Sequence, residues 1–214
     1  FIYLNIIIIF LLFFSCVSAQ TVQENIFGFA TSNTFTYCDV NDTSFVNKVK
    51  EINPQVLRFP GGAVGNFYHF GKKGYGFDFN EIDKYHDGKF PKRSRGLENS
   101  RNKKRQEADY IEDFIVLANH ANAKAVLVAN LFVDNNDIIL MIEKLQKNNI
   151  EVVGVELGSE LSNRSYFTKG YTIDDYIVSA KICSEKIKDK YPNLKTAVVV
   201  APLGKRKGHR HNVW

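Results

Sequence analysis

Residues 152–160 of the chain read VVGVELGSE, an apolar run of strand length that ends on a carboxylate. Because side chains alternate between the two faces of a strand, Glu156, Gly158 and Glu160 are predicted to share one face and the aliphatic residues the other. The aliphatic face would pack on helices, and the acidic face would point into a barrel formed by a parallel sheet. Glu160, at the tip, is the first candidate for chemistry.

Similar strand-length runs alternate along the chain with segments of helical periodicity, the pattern of consecutive βα units. The strands are predicted at residues 26–30, 55–59, 125–131, 152–160 and 196–201. The helices are predicted at residues 44–52, with Thr43 or Ser44 as N-cap, and at 106–121, 136–148 and 173–190. The predicted fold class is therefore α/β. A (β/α)8 TIM barrel needs ~250 residues, so residues 20–214 are interpreted as about five of eight βα units of one barrel domain, truncated at the carboxyl end.

The amino-terminal residues 1–19 are interpreted as a signal peptide. Residues 2–14 are almost wholly apolar and precede Val17, Ser18 and Ala19, a small-residue cleavage signal. The chain begins with Phe1 and not with Met, so the start of this peptide is expected to be missing. A secreted protein, extracellular or periplasmic, follows. A transmembrane anchor is the alternative, for which the run is short, and a lipid anchor at Cys16 would attach the protein to a surface.

The formal net charge is +5, and much of the excess lies in residues 89–105 and 205–211. Solvated loops explain such runs, and an anionic polysaccharide is the alternative partner; nucleic acid is not expected of a secreted chain whose basic loops contain few aromatic residues. Cys38 and Cys183 are either free and buried or paired. Because no His-x-x-x-His or Cys-x-x-Cys spacing occurs, neither a metal site nor a cofactor is predicted.

The second predicted strand ends in LRFPGG, residues 57–62. Arg58 alternates with apolar neighbours and can point inward beside Glu160, where a guanidinium would orient a carboxylate. A structural pairing with an acid inside the sheet is the other interpretation. Glu156 faces the same way, so it is expected either to pair with Arg58 or to contact a substrate.

LRFPGG, the GNF at residues 65–67 and the ELGSE at residues 156–160 together resemble the retaining glycoside hydrolases of clan A. The α-L-arabinofuranosidases and the heparanase/β-glucuronidase-like group are the most similar. The resemblance implies a (β/α)8 barrel that hydrolyses O-glycosidic bonds of a polysaccharide or glycoconjugate, with Glu160 after strand 4 as acid/base. It also implies a nucleophile Glu after strand 7, which would lie beyond Trp214, so this part alone is expected to be inactive. Ser159 stands where the family has Asn, which leaves a carbohydrate-binding pseudoenzyme as the alternative.

Further candidate sugar contacts are Ser159, Asn66 and Asn130, each with a structural alternative. Asn130 can equally be a strand-end residue whose hydrogen bonds are satisfied locally. The aromatic residues and His69 that follow Asn66 can stack on and hydrogen-bond a sugar ring, or simply pack within their loop. Asn41 and Asn163 begin N-glycosylation sequons, and a glycan on the second would crowd Glu160.

Overall fold

The computed structural model describes residues 25–31, 34–72, 76–86, 110–133, 135–202, 204 and 214. The predicted signal peptide, Cys16 and the two basic runs at residues 89–105 and 205–211 lie outside these ranges. Among the described helices, none combines the length and the apolar character needed to cross a membrane.

Five strands form a single sheet, and every neighbouring pair is parallel. They are β1 (Gly28–Ala30), β2 (Val56–Phe59), β3 (Lys124–Ala129), β4 (Val152–Leu157) and β5 (Lys195–Val198). Their order in the sheet is their order in the sequence, which requires a crossover between each pair. The predicted α/β class and all five predicted strands are confirmed, and the arrangement is compatible with part of a barrel.

Helices lie between successive strands along the chain. They are α1 (Thr34–Tyr37), α2 (Thr43–Ile52), α3 (Phe79–His86), α4 (Tyr110–Ala121), α5 (Asn136–Lys147), α6 (Arg164–Phe167) and α7 (Ile173–Lys190), with a 3-10 helix at Ala63–Phe67. The four predicted helices are α2, α4, α5 and α7, although the predicted first residues of α4 lie outside the described ranges. The N-cap prediction for α2 is wrong: Asp42 accepts the N–H of Ser44 at 2.8 Å, because its carboxylate reaches the orphan amide two residues on.

The prediction that β4 continues to Glu160 is wrong. The strand ends at Leu157, and the chain turns through Gly158 (φ 78°) and Glu160 (φ 53°), both in the left-handed region. The amide of Gly158 bonds to the carbonyl of Glu156 at 3.0 Å, which closes this turn. Strand alternation therefore ends at Leu157, and Glu160 is oriented by the turn.

The helix-facing side of the sheet is the hydrophobic core, as the alternation predicted. Val155 and Leu157 are at most 2% exposed, and Leu57, Phe59 and Leu127 are fully buried. Burial of such a side chain contributes about 1.5–3 kcal/mol. The polar side chains on the other face are thereby held on a rigid sheet.

The described residues of the insertion after β2, 60–72 and 76–86, fold against this core. Gly61 (φ 80°) and Gly62 (φ 68°) make a sharp turn, and Phe67 and Tyr68 are then buried to 1% exposure. An isolated antiparallel bridge pairs Tyr68 with Phe77 immediately before α3. Aromatic packing thus fixes the insertion beside the carboxyl ends of the strands.

Cys38 and Cys183 are free thiols, so the disulfide alternative is not realised. Cys183 is fully buried, and this burial raises the pKa of its thiol to about 12. The thiol therefore stays protonated and packs as a small apolar group.

Candidate functional site

A cavity of about 530 Å³ opens at the carboxyl ends of β4 and β5, the end of a parallel sheet at which ligands bind. One wall is polar and is formed by Glu156, Gly158, Ser159, Glu160, Ser162 and Asn163. The other wall is mainly apolar and is formed by Ala197, Val198, Val199, Val200 and Pro202. A ligand in this cavity would meet hydrogen-bonding groups on one side and aliphatic groups on the other.

Arg58 and Glu156 form a bidentate ion pair inside the sheet. Arg58 Nε donates to Glu156 Oε1 at 2.7 Å, and Nη2 donates to Oε2 at 2.5 Å and to Ser159 Oγ at 3.2 Å. Their side chains are 24% and 31% exposed, so the pair is only partly screened by water. The predicted pairing of Arg58 with Glu156 is confirmed, and among the described residues Glu160 forms no ion pair with this guanidinium.

Asn66 is completely buried beneath the turn that carries Glu160. Its Oδ1 accepts the N–H of Ser159 at 2.8 Å, and its Nδ2 donates to the Ser159 carbonyl at 2.7 Å. The same Nδ2 lies 3.1 Å from the hydroxyl oxygen of Tyr166. Asn66, predicted as a sugar contact, thus binds the backbone N–H and C=O of one residue, Ser159, and acts on Glu160 through the turn.

Glu160 itself lies at the mouth of the cavity and is exposed. Its Oε2 accepts a hydrogen bond from Asn163 Nδ2 at 2.8 Å, and this bond orients the carboxylate. Beneath it, burial raises the pKa of Tyr166 to about 12, and the charge of Glu160 adds to this rise. Tyr166 therefore remains a neutral phenol that supports Asn66.

The remaining predicted contacts have structural explanations. Asn130 is 7% exposed; its Oδ1 accepts the N–H of Phe132 at 2.9 Å and its Nδ2 donates to the Tyr68 carbonyl at 3.3 Å. Ser159 borders the cavity but is only 6% exposed, because its hydroxyl faces Arg58. Asn130 does not line the cavity, and Ser159 lines it with little exposed surface.

One group in the described part of the chain has the composition of a metal site. His69, Asp78 and Glu81 each offer a ligand atom, and these atoms lie within 4.8 Å of one another. No sequence motif indicates this group, since residues 69, 78 and 81 match no metal-binding spacing. They meet because the bridge between Tyr68 and Phe77 folds the insertion back on itself.

Comparison with models of known protein families and with curated proteins finds no match to this chain. The functional interpretation therefore depends on the residues and geometry described above.

The Arg58–Glu156 pair predicts a loss of stability when one partner is removed. Replacing Arg58 by Met should lower the free energy of unfolding by about 2 kcal/mol, less than the ~3–5 kcal/mol of a fully buried pair because water reaches Glu156. Urea unfolding of the purified chain measures this change. The double variant Arg58→Met, Glu156→Leu should recover much of the loss, since no charge is left unpaired.

Lys48 provides the matched control, because its ion pair with Glu51 is on the surface, with side chains 71% and 65% exposed. Lys48→Met should change stability by no more than about 0.5 kcal/mol. Equal effects of the Lys48 and Arg58 substitutions would contradict a structural role for the inner pair.

Proposed function

We propose that this chain is part of a (β/α)8 barrel and belongs to a secreted retaining glycoside hydrolase. The observation that carries the proposal is the Glu160 carboxylate at the mouth of a cavity at the carboxyl ends of β4 and β5. Five parallel strands in chain order support the barrel, since each βα unit of a barrel adds the next strand in this way. The proposed substrate is a polysaccharide or glycoconjugate.

In this proposal Glu160 is the acid/base. It first protonates the leaving glycosidic oxygen and then removes a proton from the water that releases the sugar. Its exposed position at the cavity mouth suits contact with both the leaving group and water. Asn163 donates to one of its oxygens and so leaves the other for the proton transfer.

Retention also requires a second carboxyl group ~5–5.5 Å away to attack the anomeric carbon. Glu156 lines the same cavity, but both of its oxygens accept hydrogen bonds from Arg58, which makes it a poor nucleophile. We therefore assign the nucleophile to a later strand of the proposed barrel. Sugars suit the cavity because their hydroxyls can face the polar wall while their C–H face packs on the valines.

A carbohydrate-binding pseudoenzyme is the second candidate, and Ser159 is the observation that favours it. The family's Asn at this position would reach the sugar 2-hydroxyl, whereas the Ser159 hydroxyl is shorter and lies 3.2 Å from Arg58 Nη2. Such a site would bind sugar without stabilising the transition state.

The test uses the full-length gene product that contains this sequence. It is incubated with neutral and uronate-containing polysaccharides, and the anomeric configuration of any released sugar is followed by proton NMR from the first minutes. Hydrolysis with retention supports the enzyme. Binding without hydrolysis selects the pseudoenzyme, hydrolysis with inversion contradicts the proposed nucleophile, and the absence of both binding and hydrolysis overturns the proposal.

A further inference from the structure

The insertion after β2 brings an imidazole and several carboxylates together at a place distinct from the cavity. His69 follows the 3-10 helix, and its amide bonds to the Gly76 carbonyl at 2.6 Å. Asp78 and Glu81 lie at the start of α3, which follows the bridge residue Phe77. None of these three residues lines the cavity that contains Glu160.

From this geometry we infer that His69, Asp78 and Glu81 bind a divalent transition-metal ion, with Zn²⁺ as the best match. One imidazole nitrogen and two carboxylate oxygens form a donor set that Zn²⁺ accepts, and the nitrogen disfavours Ca²⁺ and Mg²⁺. The candidate atoms lie within 4.8 Å of one another, and Zn–ligand bonds of about 2.0–2.2 Å require separations near 3.4 Å. Small side-chain rotations therefore complete the site and leave a fourth position open to water.

Asp137 can hold the ring proton of His69 when a metal binds. His69 Nδ1 lies 3.6 Å from Asp137 Oδ2, and that carboxylate oxygen also accepts the N–H of Phe70 at 3.3 Å. Without a metal, His69 Nε2 lies 2.8 Å from Glu81 Oε2, a distance at which a proton lies between the two atoms. A metal at this position replaces that proton, and the ring proton then lies on Nδ1, toward Asp137.

Charge in this cluster also favours a cation. Three carboxylates, those of Asp78, Glu81 and Asp137, lie around the imidazole, and Lys72 forms an ion pair with one of them, Asp78. Lys72 is 42% exposed, so its ammonium can move into water when a metal takes its place.

A bound metal would join parts of the fold that are distant in sequence. Asp78 Oδ1 accepts the N–H groups of Asn80 and Glu81 and so begins α3, while Asp137 lies in the first turn of α5. Zn²⁺ at His69 would therefore fix the insertion against α3 and, through Asp137, against α5. This site does not depend on the proposed hydrolase activity.

Isothermal titration of the metal-free full-length protein with ZnCl₂ tests the inference. One equivalent of Zn²⁺ should bind, and the affinity should fall at least 10-fold in both His69→Ala and Glu81→Gln. Asp137→Asn should weaken it by about 10-fold, as expected for a carboxylate that orients a ligating His. Asp78 is left intact because it also caps α3.

Two controls test whether other histidines bind the Zn²⁺ instead. His120→Ala removes an exposed imidazole at the end of α4, and the double variant His209→Ala, His211→Ala removes the His-x-His pair; both should keep the wild-type affinity. Far-UV circular dichroism shows whether each variant is folded. If His69→Ala is unfolded, Glu81→Gln is the informative variant. Three results would each overturn the inference. Zn²⁺ binding could persist in folded Glu81→Gln, it could disappear in the His209→Ala, His211→Ala double variant, or it could be absent from the wild-type protein up to ~1 mM Zn²⁺.

Discussion

Replacing Glu160 by Gln in the full-length protein is expected to lower kcat/KM by about 10²–10⁴-fold on substrates with poor leaving groups. Gln keeps the size of the side chain and its carbonyl oxygen can still accept from Asn163, but it cannot donate the proton that a glycosidic oxygen needs. Activated aryl glycosides leave without that proton, so their glycosylation step should be affected far less. A leaving-group series for both proteins measures this difference.

The matched control is Glu151→Gln, an exposed Glu just before the amino end of β4. This substitution removes the same charge at the opposite end of the strand, and kcat/KM should stay within about twofold, because surface charges this far from the reaction are screened. A uniform loss across all leaving groups in Glu160→Gln would assign Glu160 to binding. No loss at all would remove it from the chemistry.

Replacing Asn66 by Ala is expected to lower the free energy of unfolding by about 3 kcal/mol, since two buried backbone groups of Ser159 each lose a partner worth ~1–3 kcal/mol. Asn66 is fully buried, so water cannot replace its amide. Asn66→Asp should be about as damaging, because a carboxylate can accept from the Ser159 amide but cannot donate to the Ser159 carbonyl. Urea unfolding of both variants measures these losses.

Asn148→Ala is the control for Asn66. The Asn148 amide donates to the Lys144 carbonyl at 2.8 Å in a partly buried position at the end of α5, where water can take its place. Its removal should cost about 0.5–1 kcal/mol. If the Asn66 and Asn148 variants lost equal stability, the support of the Glu160 turn by Asn66 would be contradicted.

The parallel sheet was predictable because its information is local. Each strand is a short apolar run, and the helix-facing positions of β4 follow from alternation with period 2. The Arg58–Glu156 pair followed from the same alternation, because each is a charged residue on an otherwise apolar inward face. Both predictions depend only on the local pattern of each strand and on the order of the strands.

The turn after β4 and the partners of Asn66 were not predictable in this way. Ser159 and Asn66 are 93 residues apart, and nothing in the local pattern of either segment indicates the other. The same holds for His69 and Asp137, which meet only once the insertion packs against α5. The sequence pattern predicts that strand alternation continues through Gly158, but Gly158 has a φ of 78° and the strand ends before it. A Gly inside a strand pattern often marks such an irregularity, and it was the local sequence feature that indicated one here.

The ion pair between Arg58 and Glu156 joins strands that are not neighbours. In the sheet, Arg58 is paired with Val126 and Glu156 with Val128, so the side chains meet across β3. Adjacent strands are about 4.8 Å apart, and the contact therefore spans roughly twice that distance. The contact links β2 directly to β4, so we expect the three central strands to open together and their amides to exchange with solvent at similar rates.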